Sequence, residues 1–227
     1  MITQIYSIQN IEEAQFCLDC GVDRIGITAG VGSAQVPAAI TLERGRKIFE
    51  HIGERAKKVA LTVAEDAESI YPVISYLKPD IIHVCGNKFY ATEDFAKNVK
   101  SRFPDVEILQ AIGVTAEAAI AQAEYYARFC DYLILDSVKE GIDGIGVAGV
   151  THDWSISREI VTRLERTNCR VILAGGLGAD NVADAIRAVR PFGVDSFTKT
   201  SRNGRKDCEL IRAFVQNAQN AARELGL

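Results

Sequence analysis

The run LILDS, Leu133 to Ser137, ends a hydrophobic stretch on a carboxylate, Asp136. A charge there is a candidate acid or base if the stretch is a buried strand opening on a ligand, and a loop cap otherwise. Upstream, IIHVC spaces His83 and Cys85 two residues apart, which puts both on one face of a strand. A histidine suits proton transfer near neutral pH, although a hydrogen-bonded core histidine fits the same pattern, and Cys85 reads as buried packing. ITQIY ends on Tyr6, which either plugs the space between elements or offers its hydroxyl to a ligand. Downstream, LAGGLGADNVADAIRA puts Gly175 and Gly176 at the opening of a helical pattern, whose first N–H groups and positive dipole end suit an anion. The segment DSFTKTSRNGRKD brings Thr198, Lys199, Thr200 and Ser201 to the same region. The glycine pair and this polar segment together read as a phosphate grip, against the plainer reading of a tight turn followed by a solvated basic loop.

These residues are useful only if the intervening elements bring them together. Short apolar runs recur as ITQIY (2–6), RIGIT (24–28), KVALTV (58–63), IIHVC (81–85), EILQAI (107–112), YLILD (132–136), RVILA (170–174) and VDSF (194–197). An amphipathic segment follows each: 11–20, 42–52, 67–77, 92–103, 116–129, 155–167, 179–190 and 208–225. Strict alternation of this kind predicts parallel strands with crossover helices. Eight units in 227 residues fit a closed (β/α)8 TIM barrel better than an open doubly wound sheet. Pro72 falls early in its helix, where a missing N–H costs least. No Pro/Ser-rich linker or low-complexity tract interrupts the series, so residues 1–227 read as one domain. In such a barrel the chemistry gathers at the C-terminal strand ends, which is where Asp136, His83 and Tyr6 fall.

Composition removes several classes of function. A net charge of −4 and a pI near 5.5 leave no basic stripe for nucleic acid. No segment has the roughly 18 consecutive apolar residues that span a bilayer, and Met1 leads into ITQIYSI without a secretory pattern, so a cytoplasmic protein is expected. The six cysteines (17, 20, 85, 130, 169 and 208) lie in apolar surroundings and suit reduced thiols. Cys17 and Cys20 form the one CxxC, but it sits in a helical pattern without a second pair, which favours helix packing over zinc. His83, Cys85 and Asp136 lack diagnostic ligand spacing, so neither metal nor cofactor is expected.

The runs LILDSVKEGIDGIGVAGVTHDWS, VILAGGLGADNVADAIRAVRPFGVD and GRKDCELIRAFV resemble the C-terminal half of the phosphoribosylanthranilate isomerase family. The match is close over about 133–215 and includes the strand-six Asp, a glycine-rich loop containing Gly146, and a DWS helix start at Asp153, Trp154 and Ser155. SIQNIEEAQFCLDCGVDRIGI parallels the family's first helix and second strand. The resemblance implies a TIM barrel and an Amadori rearrangement: an acid opens the furanose ring, and a base removes the C2′ proton to give an enolamine that becomes the ketone. It assigns the acid role to Asp136.

The family's base is a Cys on strand one, and QIYSIQN has Tyr6 there. A phenol near 10 is a weaker candidate than a thiol near 8.5. Gln35 stands where the family has the Arg that pairs with the anthranilate carboxylate, and His83 and Cys85 replace a Gln and a His. Gln110 and Gly113 stand where Lys and Arg are favoured, and Phe197, Thr198 and Lys199 replace an SSG phosphate grip. Sugar-phosphate features are thus partly kept while carboxylate and base features are changed. The expectation is an isomerase-like barrel acting on a small phosphorylated sugar by acid/base chemistry, with Asp136 opposite His83 or Tyr6, as a monomer or homodimer. Gly146, Gln35, Gln110, Gly175, Gly176, Thr198 and Lys199 are the expected substrate contacts. A phosphoribosylanthranilate isomerase with a different base and a non-catalytic sugar-phosphate-binding barrel are the alternatives.

Overall fold

Each of the eight apolar runs pairs in parallel with the next, and the last returns to the first. The computed structural model describes residues 1–30, 36–85, 88–138 and 151–227. The strands are β1 (Ile2–Ile5), β2 (Arg24–Thr28), β3 (Lys57–Thr62), β4 (Ile81–Val84), β5 (Glu107–Gly113), β6 (Tyr132–Asp136), β7 (Arg170–Leu173) and β8 (Gly193–Ser196). They form a closed barrel in chain order, sealed where Ile2 faces Gly193 and Ile5 faces Ser196. The crossover helices are α1 (Ile11–Asp19), α2 (Leu42–Ile52), α3 (Ile70–Leu77), α4 (Glu93–Arg102), α5 (Ala118–Tyr126), α6 (Trp154–Leu164) and α7 (Val182–Val189), and α8 (Cys208–Leu225) closes the chain. The molecule is a (β/α)8 barrel, as the alternation predicts.

Strand limits agree with the sequence expectation within one residue, whereas several helices begin later or end sooner. The reason is local: Asn10, Thr41, Thr92 and Asp207 each accept a backbone N–H and fix a helix start sharply. No side-chain cap forms at Ser69 or Glu117, and α3 and α5 are correspondingly shorter than their amphipathic patterns. After β8 comes a short 3-10 turn, Thr198–Thr200, and an antiparallel hairpin of β9 (Ser201–Arg202) with β10 (Arg205–Lys206). Two-residue strands of polar residues carry no periodic pattern, so this hairpin is indistinguishable from loop in the sequence.

Period-two alternation divides the apolar residues between two cores. Outward-facing Ile5, Ile25, Ile27, Ile108 and Leu133 join helix residues such as Ile48, Phe95 and Phe214 in a continuous shell between strands and helices. Inward-facing Val59, Ile81, Leu109, Ile134 and Ile172 fill the barrel with Tyr6 and Tyr132. At the N-terminal end of the interior the Arg24 guanidinium lies 4.0 Å above the Tyr132 ring, a cation held against an aromatic face. Towards the other end the filling becomes polar, and that gradient defines where the chemistry sits.

Tyr6 reaches across the interior only because Gly26 on the neighbouring strand has no side chain. A Cβ at Gly26 would overlap the Tyr6 ring. Gly26→Ala is therefore expected to cost about 2 kcal/mol or more of stability by overpacking. In a Tyr6→Ala background the same change should cost less than about 1 kcal/mol, because the clash has been removed. Urea denaturation of the four proteins measures the difference.

Candidate active site

Tyr6, His83, Asp136 and one further carboxylate, Asp195, occupy inward positions toward the C-terminal end of the barrel. Tyr6 Oη and His83 Nδ1 are hydrogen-bonded at 2.9 Å, with both residues buried. The sequence offers His83 and Tyr6 as alternative counterparts of Asp136, and the fold pairs them with each other. The electrostatics do not make either a ready base. Burial lowers His83 to about 3 and raises Tyr6 well above its usual value near 10, so the pair is neutral at pH 7. Cys85 is pushed up to about 12, first by burial and then by Asp136 and Asp195, and stays a thiol. His83 Nε2 is buried without a partner among the described residues, which leaves one polar atom for a bound molecule to satisfy.

The carboxyls behave differently. Asp136 ends β6, partly exposed at the mouth of the barrel, and its desolvation there raises it to about 6 despite the N–H of Ser137 donating to Oδ1 at 2.7 Å. Asp195 lies in β8, one strand beyond β7, and accepts from Gln4 Nε2 at 3.1 Å. Burial raises it to about 8, and the charge of Asp136 adds to the rise. Around neutral pH the pair therefore holds about one proton, with Asp136 ionised and Asp195 protonated. Strands two apart along a barrel wall are separated by about 10 Å, so inward-pointing carboxyls can address opposite sides of a sugar.

Asp195 was not singled out from the sequence, although it lies within the expected strand VDSF. Alternation was the available signal: counting from inward Phe197, Asp195 shares its face. Gln4 is related to Tyr6 in the same way. The same rule corrects Gln110, an expected substrate contact. Leu109 and Ala111 point inward, so Gln110 faces the helical layer. There its Oε1 accepts from Ala91 N at 2.8 Å, and its Nε2 donates to Val84 O and Ala111 O. Its amide is consumed by backbone. Gln35 and Gly146 lie outside the described residues.

The glycine pair follows β7 but does not open a helix, contrary to the expectation from the sequence. Gly175 and Gly176 have φ of 87° and 61°, and α7 opens later, at Val182. Asn181 braces the loop, accepting from Gly178 N at 2.9 Å and donating to Gly176 O at 3.0 Å. Ser196 Oγ donates to Leu177 O at 2.7 Å and so ties this loop to β8. A Cβ at Gly175 would strike Ser137 Oγ. Ser137 in turn bonds His152 Nδ1 at 3.1 Å, and His152 Nε2 bonds Ser157 Oγ at 2.7 Å. This chain fastens the end of β6 to α6, with His152 kept neutral because burial lowers it to about 4.

In loop eight the two lysines have different jobs. Lys199 Nζ pairs with Asp180 at 2.6 Å on the rim, so its charge is shared rather than waiting for an anion. Lys206, which sequence reasoning passed over, is buried and donates to Phe197 O at 2.7 Å, Thr200 Oγ1 at 3.2 Å and Ser201 Oγ at 3.1 Å. Burial lowers it to about 8. It holds the 3-10 turn in place below Thr198. Thr198 is exposed and lines a cleft of about 310 Å³ with Gln9, Pro37, Phe197 and Gly204. Among the described residues no group of three or more His, Cys, Asp or Glu side chains is arranged for a metal ion. Among them, too, no helix is long and apolar enough to cross a membrane.

Burying a carboxyl that must stay protonated has a measurable consequence. The unfolded chain ionises near 3.8, so stability is fully present below that pH and is lost as pH rises through the raised folded values, about 6 for Asp136 and about 8 for Asp195. Asp195→Asn, which keeps an acceptor for Gln4, should gain about 3 kcal/mol over the parent at pH 8.5. It should show little gain at pH 4. Denaturant melts across that range decide it.

Comparison with known proteins gives this geometry a family. The model of the N-(5'-phosphoribosyl)anthranilate (PRA) isomerase family matches residues 6–217. The isomerase from Bradyrhizobium sp. (strain ORS 278) is 31% identical over 229 residues, covering 100% of this chain and 99% of that protein. Isomerase 2 of Methanosarcina mazei is also 31% identical, over 97% of this chain and 95% of its own length. The crystal structure of the Thermotoga maritima isomerase superposes with a TM-score of 0.79 at 28% identity, covering 97% of this chain and 100% of that one. A PRA isomerase in complex with reduced 1-(o-carboxyphenylamino)-1-deoxyribulose 5-phosphate gives 0.77 at 26%, with 97% of this chain and 100% of that chain covered. With its barrel, its Asp at the end of strand six and its glycine loop after strand seven, the chain belongs to the N-(5'-phosphoribosyl)anthranilate isomerase family, a family of isomerases.

Proposed function

We propose that the protein is a phosphoribosylanthranilate isomerase of tryptophan biosynthesis in which a pair of carboxyls does the work of the family's acid and thiol. Full-length similarity to curated isomerases at about 31% identity supports this reading over that of a relative with altered chemistry. The observation that carries it is Asp136 at the end of β6, facing an interior it shares with Asp195. The proton held by the pair goes to the ring oxygen and opens the furanose. The carboxylate left ionised takes the C2′ proton, and the enolamine then becomes the ketone. Tyr6 and His83 supply a neutral hydrogen-bonded wall, with His83 Nε2 directed to a substrate hydroxyl. The phosphate rests on the Gly175–Gly176 loop and Thr198, and Lys199 exchanges Asp180 for it. These steps need no cofactor, and a small phosphorylated sugar is the one partner required of this cytoplasmic enzyme, whether monomer or homodimer.

A second reading follows from Gln35, which replaces a guanidinium suited to a carboxylate by a neutral amide. It keeps the sugar chemistry and changes the amine carried at C1′. A barrel that binds the sugar phosphate without chemistry is the third outcome of the same experiment. Turnover of phosphoribosylanthranilate, formed in situ, is followed by loss of anthranilate-type fluorescence, alongside growth of a tryptophan auxotroph lacking the isomerase. The main reading predicts turnover and growth. Turnover only of phosphoribosylamines without the carboxylate would move the assignment to the second, and binding without turnover of any would move it to the third.

The carboxyl pair also fixes the pH profile. Below about 6 both groups are protonated and no base remains; above about 8 both are ionised and no acid remains. The profile of kcat/KM should be a bell with limbs near those values. Asp136→Asn and Asp195→Asn should each lower turnover by at least ~10²-fold, whereas Tyr6→Phe should retain most of it. Inactive Tyr6→Phe alongside active Asp195→Asn would transfer the role given to Asp195 to the tyrosine.

A further inference from the structure

Two thiols outside the active site lie in direct contact. Cys20 caps the C-terminus of α1 and Cys208 is the first residue of α8, and their Sγ atoms are 3.8 Å apart. Cys20 Sγ also approaches Cys208 O at 3.6 Å. Both residues are partly exposed, whereas Cys17, Cys130 and Cys169 are buried. Arg212, one turn along α8, donates from Nη2 to Cys208 Sγ at 3.4 Å, so a cation and a helix N-terminus face one of the two sulfurs. The six-cysteine count and the CxxC spacing drew attention to Cys17 with Cys20; the fold pairs Cys20 across 187 intervening positions instead.

We propose that Cys20 and Cys208 are a reversible modification site, which a small disulfide of the glutathione class oxidises to an intramolecular disulfide joining the first and last helices. The Cys208 thiolate attacks one sulfur of the external disulfide, forming a mixed disulfide and releasing one small thiol. Cys20 then loses its proton, attacks the Cys208 sulfur and releases the second small thiol. Two protein thiols and one external disulfide thus become one protein disulfide and two small thiols, the two electrons passing to the external reagent. Burial, followed by the contact with Cys208, raises Cys20 to about 11, which suits it to the second, intramolecular step, where proximity compensates for a small thiolate fraction. Joining these sulfurs fastens the end of α1 to the residue that follows Lys206 and Asp207. The bond therefore constrains the turn that Lys206 organises below Thr198.

The test treats the folded, reduced protein with oxidised glutathione, quenches with acid, unfolds it in denaturant, blocks remaining thiols with an alkylating reagent and maps the peptides by mass spectrometry. The expected result is one Cys20–Cys208 bond, four alkylated cysteines, reversal by dithiothreitol, and a Tm higher by about 5 °C in the oxidised form. Cys20→Ser should trap the glutathione adduct on Cys208. A Cys17–Cys20 bond, a lasting glutathione adduct on the unmutated protein, or six alkylated cysteines would each overturn the assignment.

Discussion

Enclosing two carboxyls within one closed, largely apolar barrel imposes the constraint on which the site depends. Among the described residues neither Asp136 nor Asp195 has a cation in hydrogen-bond contact; Asp195 has the amide of Gln4, and Asp136 the N–H of Ser137. Without such a cation the interior resolves its charge by retaining a proton. The nearby lysine, Lys206, is engaged with the backbone and hydroxyls of the 3-10 turn, and Lys199 is engaged with Asp180 at the rim. Cations are thus used to shape the loops, and the carboxyls are left to regulate one another.

This division also explains how the barrel accommodates a tyrosine immediately after β1. A phenol in the barrel needs space and a partner. Gly26 supplies the first, and His83 supplies the second. The resulting pair is bulky, neutral and buried, and it walls the interior without adding a charge that would pull the proton off the carboxyls. The bulk of Tyr6, just past β1, is thereby absorbed by neighbours on β2 and β4, while the polar ends of β6 and β8 carry the titratable groups.

Much of the fold was legible because two periods alternate without interruption along the chain, and the closed barrel is the arrangement that buries every resulting strand. Asp136 could be read directly, since a carboxylate ending YLILD violates the hydrophobic run. Asp195 was harder: in VDSF the polar residues occupy both faces, so only its position relative to Phe197 reveals that it points inward. Gln110 was misplaced for the converse reason, because family correspondence ignored the parity of β5. The hairpin after β8, the Lys206 contacts and the Cys20–Cys208 approach all arise from tertiary packing, which no local period encodes. Helix starts were legible where a side chain caps them and were overextended where none does.

The shared proton is the centre of this account, and carboxyl carbon NMR observes it directly. Asp136 and Asp195, assigned by comparison with their single Asn variants, should titrate in two steps, near 6 and near 8. Asp136→Asn should draw the upper step downward by removing the neighbouring charge. Two carboxyls that both ionise below pH 5, each indifferent to loss of the other, would contradict it.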